Sequence, residues 1–195
     1  MTDVEPSPAR MGAPADGLDG SGPSFTADEL VRRTGGKLLQ RSERCVRGGS
    51  VDSRLVEPGH LFVALPGERT DGHRFLGDAV ARGAGALLVT RPPDVPAALG
   101  DVSVIRVVDA LAALHAVAAA WRARFSPLVV GVTGSIAKTS TKEAVAAVLA
   151  RRHVTLRNEG NQNNEVGLPL TVLRLGPEHT AAVFEMGMYI GGEIA

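Results

Sequence analysis

The sequence has little of several features that would indicate particular classes of protein. Its single cysteine, Cys45, excludes an internal disulfide framework and fits a reducing compartment. Acidic and basic side chains balance at 21 each, so no excess positive charge is available to attract nucleic acid or an anionic membrane. No apolar run approaches the length of a membrane span. We therefore expect a cytoplasmic protein with no nucleic-acid partner and no membrane insertion.

The amino terminus lacks the pattern of a secretory signal. Residues 1–23 are rich in Pro, Gly, Ala, Asp and Ser and contain no apolar core. Such a segment cannot bury enough apolar surface to offset the entropy lost on ordering, so we predict a disordered leader. The chain as a whole is 44% hydrophobic and 22% charged, which is ordinary for a globular protein. Folded structure is therefore expected from residue 24 onward.

After the leader, short apolar runs alternate with helical patterns, which predicts an α/β fold. Buried strands are expected at residues 61–65, 86–90, 102–108, 128–134, 154–156 and 181–187. Helices are expected from Thr26 to Gly35 and at residues 72–83, 109–125 and 138–152. Pro127 interrupts the pattern. We place a domain boundary there, with a first domain at 24–126 and an incomplete second domain at 127–195.

The segment GVTGSIAKTSTKE, residues 131–143, follows a predicted strand and opens a predicted helix, which is the setting of a phosphate-binding loop. Backbone N–H groups at such a turn, together with the helix N-terminus, form an anion site. Lys138 can neutralise phosphate charge, and the Thr139 hydroxyl can hold Mg²⁺. The residues expected to contact the nucleotide are Gly134, Ser135, Ile136, Ala137, Lys138, Thr139 and Ser140.

The loop departs from the common phosphate-loop spacing. The usual first glycine lies six residues before the lysine, where this chain has Val132. Ala137 stands directly before Lys138, where its methyl group is expected to crowd the phosphates and weaken ATP binding. If Ala137 has a positive φ, its methyl group costs roughly 1–2 kcal/mol.

Three further segments accompany this loop: VDSRLVEPGHLFVALPGERTDGHRFLGDAVARGAGALLV (51–89), GNQNNEVGLPLTVLRL (160–175) and AAVFEMG (181–187). Together with the loop, they resemble the Mur ligases, whose loop reads G-x-T-G-x-x-G-K-T-[ST], and here Ala137 replaces the glycine before the lysine. The last two segments are most similar to the branch that adds D-alanyl-D-alanine. The resemblance covers about residues 24–195.

The resemblance implies a small α/β UDP-sugar-binding N-terminal domain, followed by the truncated start of a P-loop ATPase-type parallel-sheet central domain. It implies an ATP- and Mg²⁺-dependent amide ligase that joins D-alanyl-D-alanine to UDP-N-acetylmuramoyl-tripeptide through an acyl phosphate. It also implies a monomer. Because the family has further domains, we expect the 195-residue chain alone to be inactive.

The resemblance also assigns roles to individual residues. Ser53 and Arg54 would contact the uridine nucleotide, and a guanidinium suits diphosphate because it bonds bidentately. Glu185 would bind Mg²⁺ together with Thr139, and Lys138 and Glu185 would be catalytic. The adjacent Asn163 and Asn164 would contact substrate or phosphate. Asp71 is instead expected to be a helix N-cap.

Two alternatives stay open at this point. One is another amide ligase of the same superfamily, such as a diaminopimelate- or lysine-adding enzyme or a cyanophycin- or folate-type synthetase, although the 51–89 segment argues against the folate type. The other is a catalytically dead UDP-sugar-binding module, suggested by Ala137 and by the incomplete second domain. Nucleotide binding separates the enzyme from the dead module.

Overall fold

The computed structural model describes residues 22–67, 70–93 and 99–187. The predicted leader lies outside the described residues, apart from residues 22 and 23, so its disorder stays a prediction. The described chain forms two separate β-sheets flanked by helices, which confirms the α/β class. Within the described residues, no helix has the length and apolar character needed to cross a membrane.

The first sheet contains five strands, four of which are parallel. Its order is β1-β5-β4-β3-β2, and β1 at the edge runs antiparallel to β5. The strands are β1 (Lys37–Gln40), β2 (Gly49–Ser50), β3 (Leu61–Val63), β4 (Ala86–Val89) and β5 (Ser103–Arg106). β3 and β4 are buried along their whole length, as expected for strands of a parallel sheet that is covered on both faces.

Three helices cover this sheet, α1 (Ala27–Thr34), α2 (Leu76–Ala81) and α3 (Ala110–Arg122). Side chains of β4 alternate between the faces, as the period of a strand requires. Leu88 packs in the cluster that contains α1 and α3 residues, and Leu87 packs in the cluster that contains α2 residues. The first half of the chain is therefore a three-layer structure with apolar packing on both sides of its sheet.

The second sheet has three parallel strands in the order β6-β8-β7. These are β6 (Leu128–Val132), β7 (Thr155–Arg157) and β8 (Ala181–Glu185), accompanied by α4 (Lys138–Leu149) and α5 (Gly167–Val172). The central strand β8 is buried throughout, whereas the edge strand β6 leaves most of its residues at least partly exposed. The phosphate-loop segment connects β6 to α4, so it lies at the carboxyl end of the sheet.

The two sheets share one apolar cluster, which contains residues of β4, β5, β7 and β8. α3 and α5 pack against each other at this junction. Trp121 of α3 lies between Phe25 and Phe125, with ring centroids 5.3 and 5.5 Å away. Its indole N–H donates to the carbonyl of Leu175, 2.9 Å away. β5 belongs to the first sheet and β6 belongs to the second. The proposed domain boundary at residue 127 stays a prediction.

Several predicted boundaries were wrong, for local reasons. The strand predicted at 128–134 ends at Val132, because the chain turns there into the phosphate loop. The helix predicted at 72–83 begins as a 3₁₀ turn, Gly72–Phe75, before α2. A Cβ on Gly72 would lie 2.9 Å from the Ala64 backbone, so the chain is tightly constrained there. The strands predicted at 61–65 and 102–108 are shorter, and α4 ends before residue 152.

Candidate functional site

The loop between β6 and α4, residues 133–137, is exposed and lies at the carboxyl end of β6. Gly134 has φ +142°, a conformation that side chains rarely adopt, which explains the glycine at this position. The Lys138 ammonium donates a hydrogen bond to the Gly134 carbonyl at 2.7 Å. The loop therefore places one cation directly over its own backbone, beside the start of the helix.

Helix α4 begins without a side-chain cap. Its N-cap residue is Ala137, which has φ +60° and ψ +16°. Among the described residues, this is the only non-glycine residue with a positive φ. Because its φ is positive, Ala137 has a strained backbone, which costs roughly 1–2 kcal/mol. The first backbone N–H groups of α4 have no side-chain acceptor, which is the arrangement that binds phosphate at a helix N-terminus.

Glu185, at the end of β8, is only 2% exposed and faces the start of α4. Its Oε1 accepts hydrogen bonds from Asn163 Nδ2 at 2.8 Å and Thr139 Oγ1 at 3.2 Å. Its Oε2 is buried and has no hydrogen-bond partner in the described chain. Lys142 Nζ lies 3.6 Å from Oε2, close enough for an ion pair. One carboxylate oxygen is thus held by two hydrogen bonds, and the other faces the Lys142 ammonium without a hydrogen bond.

Competing effects set the charge of this carboxyl group. Burial acts to raise the pKa of Glu185. The hydrogen bonds from Asn163 and Thr139 and the positive charges of Lys142 and Lys138 act in the opposite direction, and the pKa lies below its ordinary value. Glu185 is therefore an anion at neutral pH, although it is almost entirely shielded from water.

The donor set fits Mg²⁺ better than a metal of another class. The free Oε2 of Glu185 and the hydroxyl of Thr139 are hard oxygen ligands, which Mg²⁺ prefers. In the part of the chain that the structure describes, no three His, Cys, Asp or Glu side chains are grouped to hold a metal. Mg²⁺ does not require such a cage, because it is usually held by one or two carboxylates together with substrate phosphates.

The structure separates the two candidate asparagines. Asn163 hydrogen-bonds the Glu185 carboxylate, so it belongs to the cluster of charged groups at this site. Asn164 Oδ1 instead accepts hydrogen bonds from the backbone N–H groups of Val166 and Gly167, at 3.3 and 2.8 Å, and so stabilises the turn that leads into α5. Direct contact of either asparagine with substrate stays a prediction.

Two buried polar residues of this site were missed in the sequence. Lys142 is completely buried, and its ammonium donates to the Asn158 carbonyl at 2.8 Å. Asn158 is also buried, and its side chain hydrogen-bonds both the N–H and the C=O of Glu185, at 2.8 and 3.0 Å. The spacing of four residues between Lys138 and Lys142 places both on one side of α4, which is the sequence signal that could have indicated Lys142.

The predicted uridine contacts lie in the first half of the chain. Ser53 is buried in a 3₁₀ turn, Ser53–Leu55, that Asp52 caps by accepting from the Arg54 N–H. The Arg54 side chain is 82% exposed, and its Nη2 lies 2.6 Å from Asp52 Oδ2. Neither predicted residue forms a hydrogen bond or ion pair with the phosphate loop within the described ranges. Asp71 accepts from the His73 N–H at 2.9 Å, which confirms it as an N-cap.

An open cleft of about 610 Å³ lies beside the Glu185 cluster, between α3 and α5. Asn163 and Met186 border it on the side of the second sheet, and His115 and Arg122 border it on the side of α3. Asn163 both lines this cleft and hydrogen-bonds Glu185. The cleft and the Glu185 cluster are therefore neighbours that share Asn163.

Comparison with known families gives this geometry a context. Residues 46–159 match the model described as the Mur ligase family catalytic domain, and residues 132–193 match the Mur ligase middle domain. The first match alone spans more than half of the chain. The chain belongs to the Mur ligase family. Its Lys138, Thr139 and Glu185 cluster falls within the matched middle domain, as the sequence resemblance implied.

Two relatives, from different bacteria, carry the same name. The chain is 44% identical over 172 residues to the UDP-N-acetylmuramoyl-tripeptide--D-alanyl-D-alanine ligase of Escherichia coli, covering 88% of this chain and 37% of that protein. It is 43% identical over 156 residues to the enzyme of that name from Bacillus subtilis, covering 80% and 34%. The chain therefore spans little more than a third of the length of these relatives.

Solved structures agree with the fold. The structure of MurF from Acinetobacter baumannii matches with a TM-score of 0.75 and 35% identity, over 86% of this chain and 36% of that one. MurF from Thermotoga maritima in complex with ADP matches with a TM-score of 0.62 and 35% identity, over 72% of this chain and 32% of that one. The two-sheet arrangement is thus shared with the matched third of these Mur ligases.

Proposed function

We propose that this protein is an ATP-dependent ligase that adds D-alanyl-D-alanine to UDP-N-acetylmuramoyl-tripeptide in peptidoglycan precursor synthesis. The observation that carries the proposal is the Glu185 carboxylate at the carboxyl end of β8, which Thr139 and Asn163 orient beside the uncapped start of α4. A helix N-terminus, a lysine and an oriented carboxylate are the parts that phosphoryl transfer requires. The names of the relatives supply the substrate class.

Each charged group has a defined part in the proposed reaction. ATP would bind with its phosphates at the exposed loop, where the first N–H groups of α4 and the Lys138 ammonium supply positive charge. The γ-phosphoryl group would pass to the terminal carboxylate of the tripeptide. The amine of D-alanyl-D-alanine would then attack the resulting acyl phosphate, which would release phosphate and form the amide. Lys138 stabilises the charge that develops during the transfer.

Mg²⁺ fits the residues present, because Glu185 Oε2 is a buried carboxylate oxygen with no hydrogen-bond donor among the described residues. Thr139 and Glu185 are the proposed ligands, and the ion would neutralise the charge of the phosphates when it is bound. Asn163 fixes the orientation of the carboxylate through Oε1, so that Oε2 stays free. The remaining loop residues, from Gly134 to Ser140, are proposed to contact the nucleotide, because they lie at the start of α4.

The first half of the chain is proposed to bind the UDP portion of the acceptor. Arg54 presents a guanidinium that is 82% exposed, and one edge of it already pairs with Asp52. Its remaining N–H groups are available for diphosphate. Asn163 lines the apolar cleft between α3 and α5. A monomeric, cytoplasmic enzyme remains our prediction.

One observation favours a second function, a UDP-sugar-binding module without catalysis. Ala137 holds a left-handed conformation at the helix start, where glycine would be unstrained. Strain of about 1–2 kcal/mol is equivalent to roughly a tenfold change in an equilibrium constant. We favour the ligase, because the strained conformation is adopted here and leaves the N–H groups of α4 open.

Phosphate release by the full-length protein tests the proposal. We expect release that requires ATP, Mg²⁺, UDP-N-acetylmuramoyl-tripeptide and D-alanyl-D-alanine together. Activity with the UDP-linked dipeptide in place of the tripeptide, and with diaminopimelate in place of D-alanyl-D-alanine, would establish the alternative ligase. Binding of the UDP-tripeptide without any binding of ATP would establish the catalytically dead module.

A further inference from the structure

Lys142 is the most completely buried charged residue in the described structure, with no exposed surface. Lysine is almost never fully buried unless it is paired, because desolvation of the ammonium costs several kcal/mol. The residue lies on α4, one helical turn beyond Lys138, and its ammonium reaches Asn158, which follows β7, and Glu185 at the end of β8. The reaction proposed for the site does not require it.

The Lys142 ammonium donates one hydrogen bond to a backbone carbonyl and faces two carboxylates. It donates to the Asn158 carbonyl at 2.8 Å and lies 3.2 Å from Glu143 Oε1 and 3.6 Å from Glu185 Oε2. Glu143 is about half exposed and also pairs with Arg157, whereas Asn158 and Glu185 are buried. The two buried contacts therefore define the position of the ammonium.

Asn158 extends this contact to the backbone of Glu185. Its Oδ1 accepts from the Glu185 N–H at 2.8 Å, and its Nδ2 donates to the Glu185 carbonyl at 3.0 Å and to the Gln162 carbonyl at 2.9 Å. Gln162 directly precedes Asn163, whose side chain holds Glu185 Oε1. The ammonium on α4 thus links the end of β8 with the turn that carries Asn163.

We propose that Lys142 is a positioning residue that sets the Glu185 carboxylate for Mg²⁺, both by facing Oε2 and by fixing Asn158 against the backbone of Glu185. This inference rests on the proposed function, since it assumes that Glu185 binds the ion. Lys142 does not touch the nucleotide or the reacting atoms. Outer-shell partners of this kind usually change metal affinity by about 10–100-fold.

The sign of the change in metal affinity separates a positioning role from a purely electrostatic role and from a purely structural one. Loss of a positive charge near a cation site strengthens cation binding if electrostatics alone are at work. A residue that only stabilises the fold changes the fraction of folded protein but leaves the metal affinity of that fraction unchanged. Weaker metal binding by folded protein therefore follows only if the lysine organises the site.

The test is Mn²⁺ binding to the full-length protein in the presence of ADP, measured by electron paramagnetic resonance on samples shown to be folded by thermal melting. Mn²⁺ stands in for Mg²⁺, because both prefer carboxylate and water ligands. We compare the unaltered protein with Lys142→Met and with Glu143→Gln, which removes the half-exposed partner of the same ammonium. If Lys142→Met yields no folded protein, Lys142→Gln replaces it in the same measurement.

We expect the Mn²⁺ dissociation constant to rise at least about tenfold in the lysine variant and to stay within about twofold in Glu143→Gln. An unchanged or lower constant in the folded lysine variant would overturn the positioning role while leaving the proposed function intact. Absence of Mn²⁺ binding by the unaltered protein with ADP would instead overturn the proposed function, and this inference with it.

Discussion

Helices α3 and α4 have nearly the same length, 13 and 12 residues, but they begin in opposite ways. Asp109 caps α3, because its Oδ1 accepts from the N–H groups of Leu111 and Ala112 at 2.8 and 3.0 Å. No side chain caps α4, and its first residue is preceded by Ala137 in a left-handed conformation. A side chain satisfies donors at the N-terminus of α3, whereas the first N–H groups of α4 have no side-chain acceptor.

The start of α4 is therefore less stabilised by its own residues than the start of α3. A side-chain cap contributes about 1 kcal/mol, and a left-handed alanine costs a similar amount. The start of α4 has no side-chain cap and contains the left-handed Ala137. Unfavourable local conformations of this kind cluster at functional sites. The exposed loop before α4 combines this feature with Lys138 and with the nearby Glu185 cluster.

The largest effect is expected for Lys138→Ala in the full-length protein. The ammonium is the cation held at the uncapped start of α4, and its loss removes charge aimed at the transferring phosphoryl group. Turnover should fall by about three orders of magnitude. Steady-state assay of phosphate release measures this. Lys37→Ala, an exposed lysine on β1, is the control and should retain full turnover.

The next effect concerns Arg54, which lies in a 3₁₀ turn with a side-chain cap. Arg54→Ala should weaken binding of UDP-N-acetylmuramoyl-tripeptide by about tenfold or more, because charge-assisted hydrogen bonds to phosphate contribute about 1.5–3 kcal/mol. NMR titration measures the dissociation constant. Arg41→Ala is a matched control, since Arg41 forms a similar exposed pair with Asp28. Equal affinities in both variants would rule out Arg54 as a nucleotide contact.

Much of the fold follows from the sequence for identifiable physical reasons. Strands β3 and β4 were predicted because their apolar runs are buried on both faces of the sheet. Strand β1 was not predicted, because its four residues lie at a sheet edge and include two polar side chains. Helix α5 was not assigned either, because its six residues include Gly167 and Pro169, which are both poor helix formers.

The candidate site was only partly predictable. Lys138, Thr139 and Glu185 were identified from local motifs, and the structure places Thr139 against Glu185. Lys142 was not identified, because a lysine on a helix is normally exposed and its burial here depends on long-range contacts with Asn158 and Glu185. The four-residue spacing from Lys138 indicates the side of α4 on which Lys142 lies, but not that the side chain is buried.

A smaller effect tests the strain at the start of α4. Ala137→Gly should raise the free energy of unfolding by up to about 1 kcal/mol, because glycine adopts φ +60° without a steric penalty. Affinity for ATP should improve or stay unchanged. Denaturant unfolding and nucleotide titration measure the two quantities. A clear loss of ATP affinity would show that the loop requires the alanine methyl group.

The smallest effect is a pH dependence in the capped turn at Asp52. Hydrogen bonds from the Arg54 side chain and backbone lower the pKa of Asp52 to about 2. Because the folded-state pKa lies below the unfolded one, the ionised carboxylate stabilises the fold above about pH 4, and this contribution is lost as the pH falls toward 2. It should stay below about 1 kcal/mol, since the pair is exposed.

Asp52→Asn keeps a side-chain acceptor but removes the charge. The difference in unfolding free energy between this variant and the unaltered protein should therefore shrink between about pH 5 and about pH 2. Denaturant unfolding at a series of pH values gives that difference. A difference that stays constant over this range would mean that the carboxylate charge does not contribute to stability.

Calorimetric titration of the full-length protein with ATP, with Mg²⁺ and with a chelator in its place, tests the central claim most directly. The uncapped start of α4 and the free oxygen of Glu185 predict binding that Mg²⁺ strengthens. Glu185→Gln should keep nucleotide binding but lose most of its dependence on Mg²⁺. Failure to bind ATP at millimolar concentration with Mg²⁺, or binding that Mg²⁺ does not change, would contradict the account.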